Sequence, residues 1–329
     1  MQKTVFILGA GASKEFDASG TMPIGAELAD QIQVLMDVEL RGRHTGTDGP
    51  ISLSFMSTGG LEGSHYAAMQ RIRDGINSKN SIDDFIEEWK DHEKLQDVAL
   101  RAIAYRILEA EKQSIIGSIS NDGSDAASRL GLLRSSWLGQ VVRSINPGVR
   151  RRDLADVLSN AVFITFNYDR CIEAYIFQYA VNTLNMDPTA AKEFVGSIPI
   201  VHVYGSLGNL NGLSGFGKVD PYWLAQAAAG IRTYTQALEE KHQKTIHEAV
   251  NGAEKLLLLG IGYHPQNLQI LFGDRWTGGA KIWGTTEGLR PRIQERVQAY
   301  FSGPTVAESV RFEPSSASQM IARNADDIF

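Results

Sequence analysis

Short apolar runs rich in β-formers recur along the chain, with longer stretches of helical spacing between them, and this constrains the fold most. Thr4 to Leu8 is the first run, Ala161 to Phe166 the second, Pro199 to Tyr204 the third and Lys255 to Gly260 the fourth. Lys281 to Thr286 and Ser309 to Glu313 add two more. A continuous apolar run fits a strand covered on both faces, as in a parallel sheet. Strands that alternate with helices, each ending in Gly, Asn or His, describe an open α/β sheet. Ligands in such sheets bind outside the C-terminal strand ends.

The first run enters a glycine turn, Gly9-Ala-Gly-Ala-Ser13. Glycine at 9 and 11 lets the backbone turn tightly and approach a ligand that a Cβ would hold off. A helix after it would aim free N–H groups and a positive dipole end at an anion, most often a phosphate. Lys14 stands where the dinucleotide fingerprint has its third glycine, so a plain β–α turn stays open beside a phosphate seat.

Between the first and second runs the chain reads as helical, forming an insertion at about residues 28–158 within a single domain spanning 1–329. Leu28, Ile32, Leu35 and Met36 share one helical face, as do Ile82, Phe85, Ile86 and Trp89. Ser81 to Asp84 has the form of a capping box. Further helices are expected over 97–118 and 130–145. Breakers at Gly20, Pro23 and Gly25 predict a loop over 14–26. Residues 41–63, rich in Gly, Ser and Thr, predict a long mobile loop, and 117–128 a polar break.

Hydrophobic residues at 43% and charged residues at 21% are the balance of a globular protein. No apolar run approaches the roughly 20 residues that cross a bilayer. The first strand starts almost at once, so no signal peptide and a cytoplasmic location are expected. Cys171 is the single cysteine, which excludes an intrachain disulfide framework and a cysteine-rich zinc site. A net charge of −6 opposes broad affinity for nucleic acid, leaving only an indirect connection to it. The Arg150-Arg151-Arg152 cluster fits a solvated helix end. His242 and His247, five apart, fall on different helix faces, and no metal is expected.

Four strand ends should meet in one cleft: 9–13, 167–170, 202–206 and 260–267. Asn167 and Asp169 bring an amide and a carboxylate there, able to hold a ribose hydroxyl or a water. They also suit a turn start and a helix cap. His202 and Tyr204, two apart, should share a sheet face near that end. His202 reads either as a satisfied core residue or as a general base. Cys171 fits a buried helix stripe, and Trp89, Trp137 and Trp223 fit packing.

These segments together resemble the sirtuin-like proteins. Gly-Ala-Gly-Ala-Ser at 9–13, Phe-Asn-Tyr-Asp at 166–169 and His-Val-Tyr-Gly-Ser-Leu-Gly at 202–208 carry the resemblance. It is closest to the bacterial sirtuin-like NAD-hydrolases of antiphage defence, which Ser81-Ile-Asp-Asp-Phe85 and Gly260-Ile-Gly-Tyr263 also resemble. The resemblance implies a Rossmann-like domain that binds NAD+ as substrate, with the helical insertion over the cleft. Gly9, Ala10, Gly11, Ala12 and Ser13 would hold the pyrophosphate. Tyr204, Gly205, Ser206, Gly260, Gly262 and Asn267 would complete the binding site. Asn167 would be needed for turnover beside Asp169, with His202 as general base.

In two respects the chain departs from that pattern. Many sirtuins place the histidine directly before Gly-Ser, where this chain has Tyr204. The four-cysteine zinc ribbon of the deacetylases is missing, which points away from protein deacylation. The remaining chemistry is water attack on the nicotinamide ribose, releasing nicotinamide and ADP-ribose. The resemblance further implies an effector held quiet until assembly as a homo-oligomer, or a separate ATPase or sensor protein, activates it. An NAD or ADP-ribose sensor without turnover and an ADP-ribosyltransferase are the alternatives.

Overall fold

The computed structural model describes residues 3–17, 19–79, 82–122, 125–145, 158, 160–208, 215–232, 240–273, 278–301 and 310–329, with backbone only at 120–122 and 240–242. Among the described residues six strands form one open sheet: β1 (Thr4–Leu8), β2 (Ala161–Thr165), β3 (Ile200–His202), β4 (Lys255–Leu259), β5 (Lys281–Thr285) and β6 (Val310–Glu313). Their order is β3-β2-β1-β4-β5-β6, and every pairing is parallel. This is the doubly wound Rossmann-like order, whose direction reverses between β1 and β4. The α/β fold expected from the recurring apolar runs is the fold observed.

β1 is apolar at consecutive positions because both of its faces are covered. Val5 and Ile7 enter one core and Phe6 and Leu8 the other, each at most 1% exposed. Phe6 stacks on Phe163, its register partner on β2, with ring centroids 5.1 Å apart. Full burial of side chains this size stabilises by about 1.5–3 kcal/mol each, so the central strand is also the anchor of both layers.

Helix α1 (Ala10–Phe16) follows β1 directly. The insertion then supplies α2 (Gly25–Thr45), α3 (Pro50–Thr58), α4 (Gly63–Gly75), α5 (Ile82–Glu88), α6 (Glu93–Gln113), α7 (Ile115–Asp122), α8 (Ala126–Leu132) and α9 (Trp137–Ile145). Helices α2 to α6 share the core of Val5 and Ile7, whereas α7 to α9 share that of Phe6 and Leu8. The insertion therefore crosses from one face of the sheet to the other. Helices α10 (Cys171–Asn182) and α11 (Pro188–Ser197) connect β2 to β3, and α12 (Pro221–Ala229) and α13 (Glu240–Asn251) precede β4. Helices α14 (Pro265–Phe272), α15 (Pro291–Phe301) and α16 (Ala317–Ile328) complete the chain.

Three loop expectations are overturned. Residues 14–16 belong to α1, and α2 begins at Gly25, leaving a shorter connection than expected. Residues 41–63 hold the end of α2, all of α3 and the start of α4. The cause is Glu39, fully buried, whose carboxylate accepts from Ile51 N at 2.7 Å, Ser52 N at 3.1 Å and Ser52 Oγ at 2.6 Å. A carboxylate there satisfies the free donors of the first turn and complements the helix dipole. The expected break at 117–128 is largely helical, in α7 and α8. Ser81 and Arg150 to Arg152 lie outside the described residues, and with them the capping box and the basic cluster.

Candidate functional site

The strands flanking the switch point end level. Leu8 pairs with Thr165 and Leu259, and Thr165 pairs with His202. Gly9, Phe166, Val203 and Gly260 thus leave the sheet at one height.

The glycine turn is fitted closely against the end of β4. Gly9 N–H donates to Leu259 O at 3.0 Å, Gly11 N–H to Gly260 O at 3.0 Å and Ala12 N–H to Gly9 O at 2.9 Å. A Cβ on Gly9 would lie 2.6 Å from Gly260 O. Gly260 has a φ of 59°, and a Cβ there would lie 2.1 Å from Ala12 N. Glycine at 9 and 260 is therefore required by backbone packing at the switch point. The N–H groups of Gly11 and Ala12 already have carbonyl acceptors. Trp137 fixes α1 from the other side, donating through Nε1 to Ala12 O at 2.9 Å.

Asn167 joins this turn to the end of β2. Its Nδ2 donates to Gly9 O at 2.9 Å and Ser13 Oγ at 2.7 Å. Asp169, buried, accepts from Cys171 N, the first residue of α10, at 3.2 Å through Oδ1. It also borders a cavity together with Ala10, Ser13 and Phe166 to Tyr168. The far wall belongs to the insertion: Met22, Pro23, Gly25, Leu28, Ile82, Asp83 and Ile107. This cavity measures about 100 Å³, well below the roughly 300–1,000 Å³ of ordinary ligand pockets. A larger hollow of about 550 Å³ lies between α4 and α5, away from the strand ends.

His202 is near the site, yet both of its ring nitrogens are engaged. Nδ1 lies 2.9 Å from Asn167 O and Nε2 lies 2.8 Å from Glu173 Oε1, and the side chain is only 10% exposed. Burial alone would lower its pKa, but the Glu173 carboxylate, the Asn167 carbonyl and Asp169 outweigh burial and the net shift is upward. When protonated, the ring donates to both acceptors and has no lone pair with which to take a proton from water. His202 thus fixes the backbone at Asn167 from behind. Cys171 is buried, and burial together with Asp169 pushes its thiol well above the usual range.

Tyr204 does not share His202's surroundings. β3 ends at His202 and the chain turns at 203–204, so the strand alternation that predicted a common face no longer applies. Tyr204 is buried beside Phe166, and its hydroxyl donates to Asn267 Oδ1 at 2.8 Å. Gly205, with a φ of 74°, packs on Gly230, where a Cβ would lie 2.0 Å from the Gly230 carbonyl oxygen. The Ser206 hydroxyl donates to Gly208 O at 3.3 Å. Gly262 is exposed with open space beside it. Of the expected set, Ala10, Ser13, Asn167 and Asp169 line the cavity, Gly9, Gly11, Ala12 and Gly260 pack together in the turn beside it, and His202, Tyr204, Gly205, Ser206, Gly262 and Asn267 lie outside the lining.

Three side-chain pairs were not legible as pairs. Arg170 and Glu111, both fully buried, form a fork in which Nε donates to Oε1 at 3.0 Å and Nη2 to Oε2 at 2.5 Å. Arg170 N also donates to Oε1 at 3.0 Å and Gly217 N to Oε2 at 2.9 Å, so this carboxylate ties α6 to two loops. Tyr168 Oη donates to Asp83 Oδ1 at 2.6 Å. Glu173 completes the His202 contact. Each partner is an ordinary titratable residue in a helix, strand or turn, and only the fold brings the two together.

His247 Nε2 meets Ile270 O at 2.9 Å, and the His242 side chain lies outside the described residues. Among the described residues, no group of three or more His, Cys, Asp or Glu is arranged to hold a metal ion. No described helix is long and apolar enough to cross a membrane. In comparisons with protein-family models, curated proteins and solved structures, the chain matches none.

Proposed function

We propose that the chain is a sirtuin-like NAD+ hydrolase, an effector of bacterial antiphage defence that a partner or its own assembly activates. The observation that carries this reading is Asn167, whose amide links the glycine turn to the end of β2 beside the Asp169 carboxylate. Sequence supplies the rest, through the 9–13, 166–169 and 202–208 segments.

In this reading a water oxygen attacks C1′ of the nicotinamide ribose as the glycosidic C–N bond breaks. The bonding pair returns to the pyridinium nitrogen, nicotinamide leaves neutral, and the water proton passes to solvent through a carboxylate. Asp169, which borders the cavity next to Asn167, stabilises the oxocarbenium-like centre electrostatically. Asn167 orients the reacting ribose. His202 acts as a positioning residue, because its nitrogens face Asn167 O and Glu173.

The engagement of His202 and the small cavity favour a second reading, a module that senses NAD+ or ADP-ribose without turnover. Calorimetry with NAD+, run beside a nicotinamide-release assay on the protein alone and with its genomic neighbour, separates the two. Release under either condition supports hydrolysis. Binding without release under both supports the sensor.

A further inference from the structure

Helix α5 has open space on two sides. Ile82 and Asp83 border the strand-end cavity of about 100 Å³. Phe85 and Glu88 border the hollow of about 550 Å³, with Arg71 and Gly75 of α4 and with Trp89. At 3.6 residues per turn these two pairs point about 140° apart, so one face of α5 closes the cavity and the opposite face has room behind it. The hollow is a groove between α4 and α5 that is open to solvent.

The main core takes Leu28 and Ile32 of α2 and also Ile82, Phe85 and Ile86 of α5, while Glu111 further anchors α6 to Arg170 in a fully buried bridge. Polar contacts join α5, only seven residues long, to the strand-end loops. Tyr168 Oη donates to Asp83 Oδ1 at 2.6 Å, and His264 Nε2 lies 3.8 Å from Asp84 Oδ2.

We propose that α5 is a gate over the strand-end site: the Tyr168–Asp83 hydrogen bond latches it closed, and an outward shift into the hollow behind it admits a ligand of dinucleotide size. The proposal rests on reading the cavity as the NAD+ site, and it assigns the regulation of that site to one helix. Whatever stabilises the outward position of α5 opens the site. Whatever fills the hollow keeps it shut.

Hydrogen exchange on the full chain tests the gate without reference to turnover. Asp83→Ala and Tyr168→Phe each remove the latch, and exchange across 82–88 rises up to about tenfold, the size expected for the net loss of one hydrogen bond, while α6 is unchanged. Ala67→Trp, on the exposed face of α4 lining the hollow, fills the space behind α5 and slows exchange there. Unchanged exchange at 82–88 in both latch variants, or an equal rise in α4 and α6, overturns the gate. Should the latch variants not fold, Ala67→Trp decides alone, and failure to slow exchange overturns the gate. Stopped-flow mixing with NAD+ keeps the two readings apart. Faster binding to Asp83→Ala supports both, whereas accelerated exchange with no NAD+ binding rejects the NAD+ reading and leaves the gate standing.

Discussion

Asn167 is the residue at which the two halves of the candidate site join, and what fixes it is a chain of contacts running away from the cavity. Its backbone carbonyl meets His202, and His202 meets Glu173, a buried residue of α10. Since the folded pKa of His202 is raised above the unfolded value of about 6.5, this pairing contributes its full stability below about pH 6.5 and loses it as pH rises through the folded value. Glu173→Gln should therefore cost about 1.5–3 kcal/mol at pH 6 and distinctly less at pH 9, read by urea unfolding at the two pH values. An equal cost at both would show that the pair is not ionic. Asn167, Asp169 and the glycine turn were legible because strand-end residues of an open sheet have a known destination. The role of His202 was not, because its spacing on β3 says where the ring lies and nothing of Glu173, 29 positions earlier.

At the scale of elements, strands were easier to read than helices. A strand buried on both faces is apolar at successive positions, as β1 and β4 are, and that pattern is local. Helix α3 has a short, serine-rich, glycine-flanked sequence and owes its start to Glu39, eleven residues before Pro50, so local composition read it as loop. The Arg170–Glu111 fork is likewise non-local, and it is the firmest polar tie between the insertion and the loop after β2. Arg170→Met should destabilise by about 3–5 kcal/mol, because it leaves Glu111 charged and unpaired in the interior. Adding Glu111→Leu should recover part of that loss and not all, since the N–H groups of Arg170 and Gly217 lose their acceptor. Denaturant unfolding of the three variants measures both effects, and full additivity of the single costs would contradict the pairing.

The whole molecule is a Rossmann-like sheet whose insertion crosses the strand ends and closes over the switch point. The order β3-β2-β1-β4-β5-β6 puts the glycine turn between Asn167 and Gly260, where a ligand of such a sheet belongs. The sheet followed from the apolar runs. The tight closure did not, because it depends on how the insertion seats on the strand-end loops, and periodicity fixes helix faces without fixing that docking. Closure and proposed activity make one account: a hydrolase that is inactive with α5 latched and active when the latch is released. Proton NMR of NAD+ incubated with the wild type, Asp83→Ala and the Asp83→Ala/Asn167→Ala double variant tests it most directly. The account predicts free nicotinamide and ADP-ribose signals that grow with Asp83→Ala faster than with the wild type and vanish when Asn167 is also removed. Intact NAD+ throughout, with folded Asp83→Ala and with the genomic neighbour added, would contradict it.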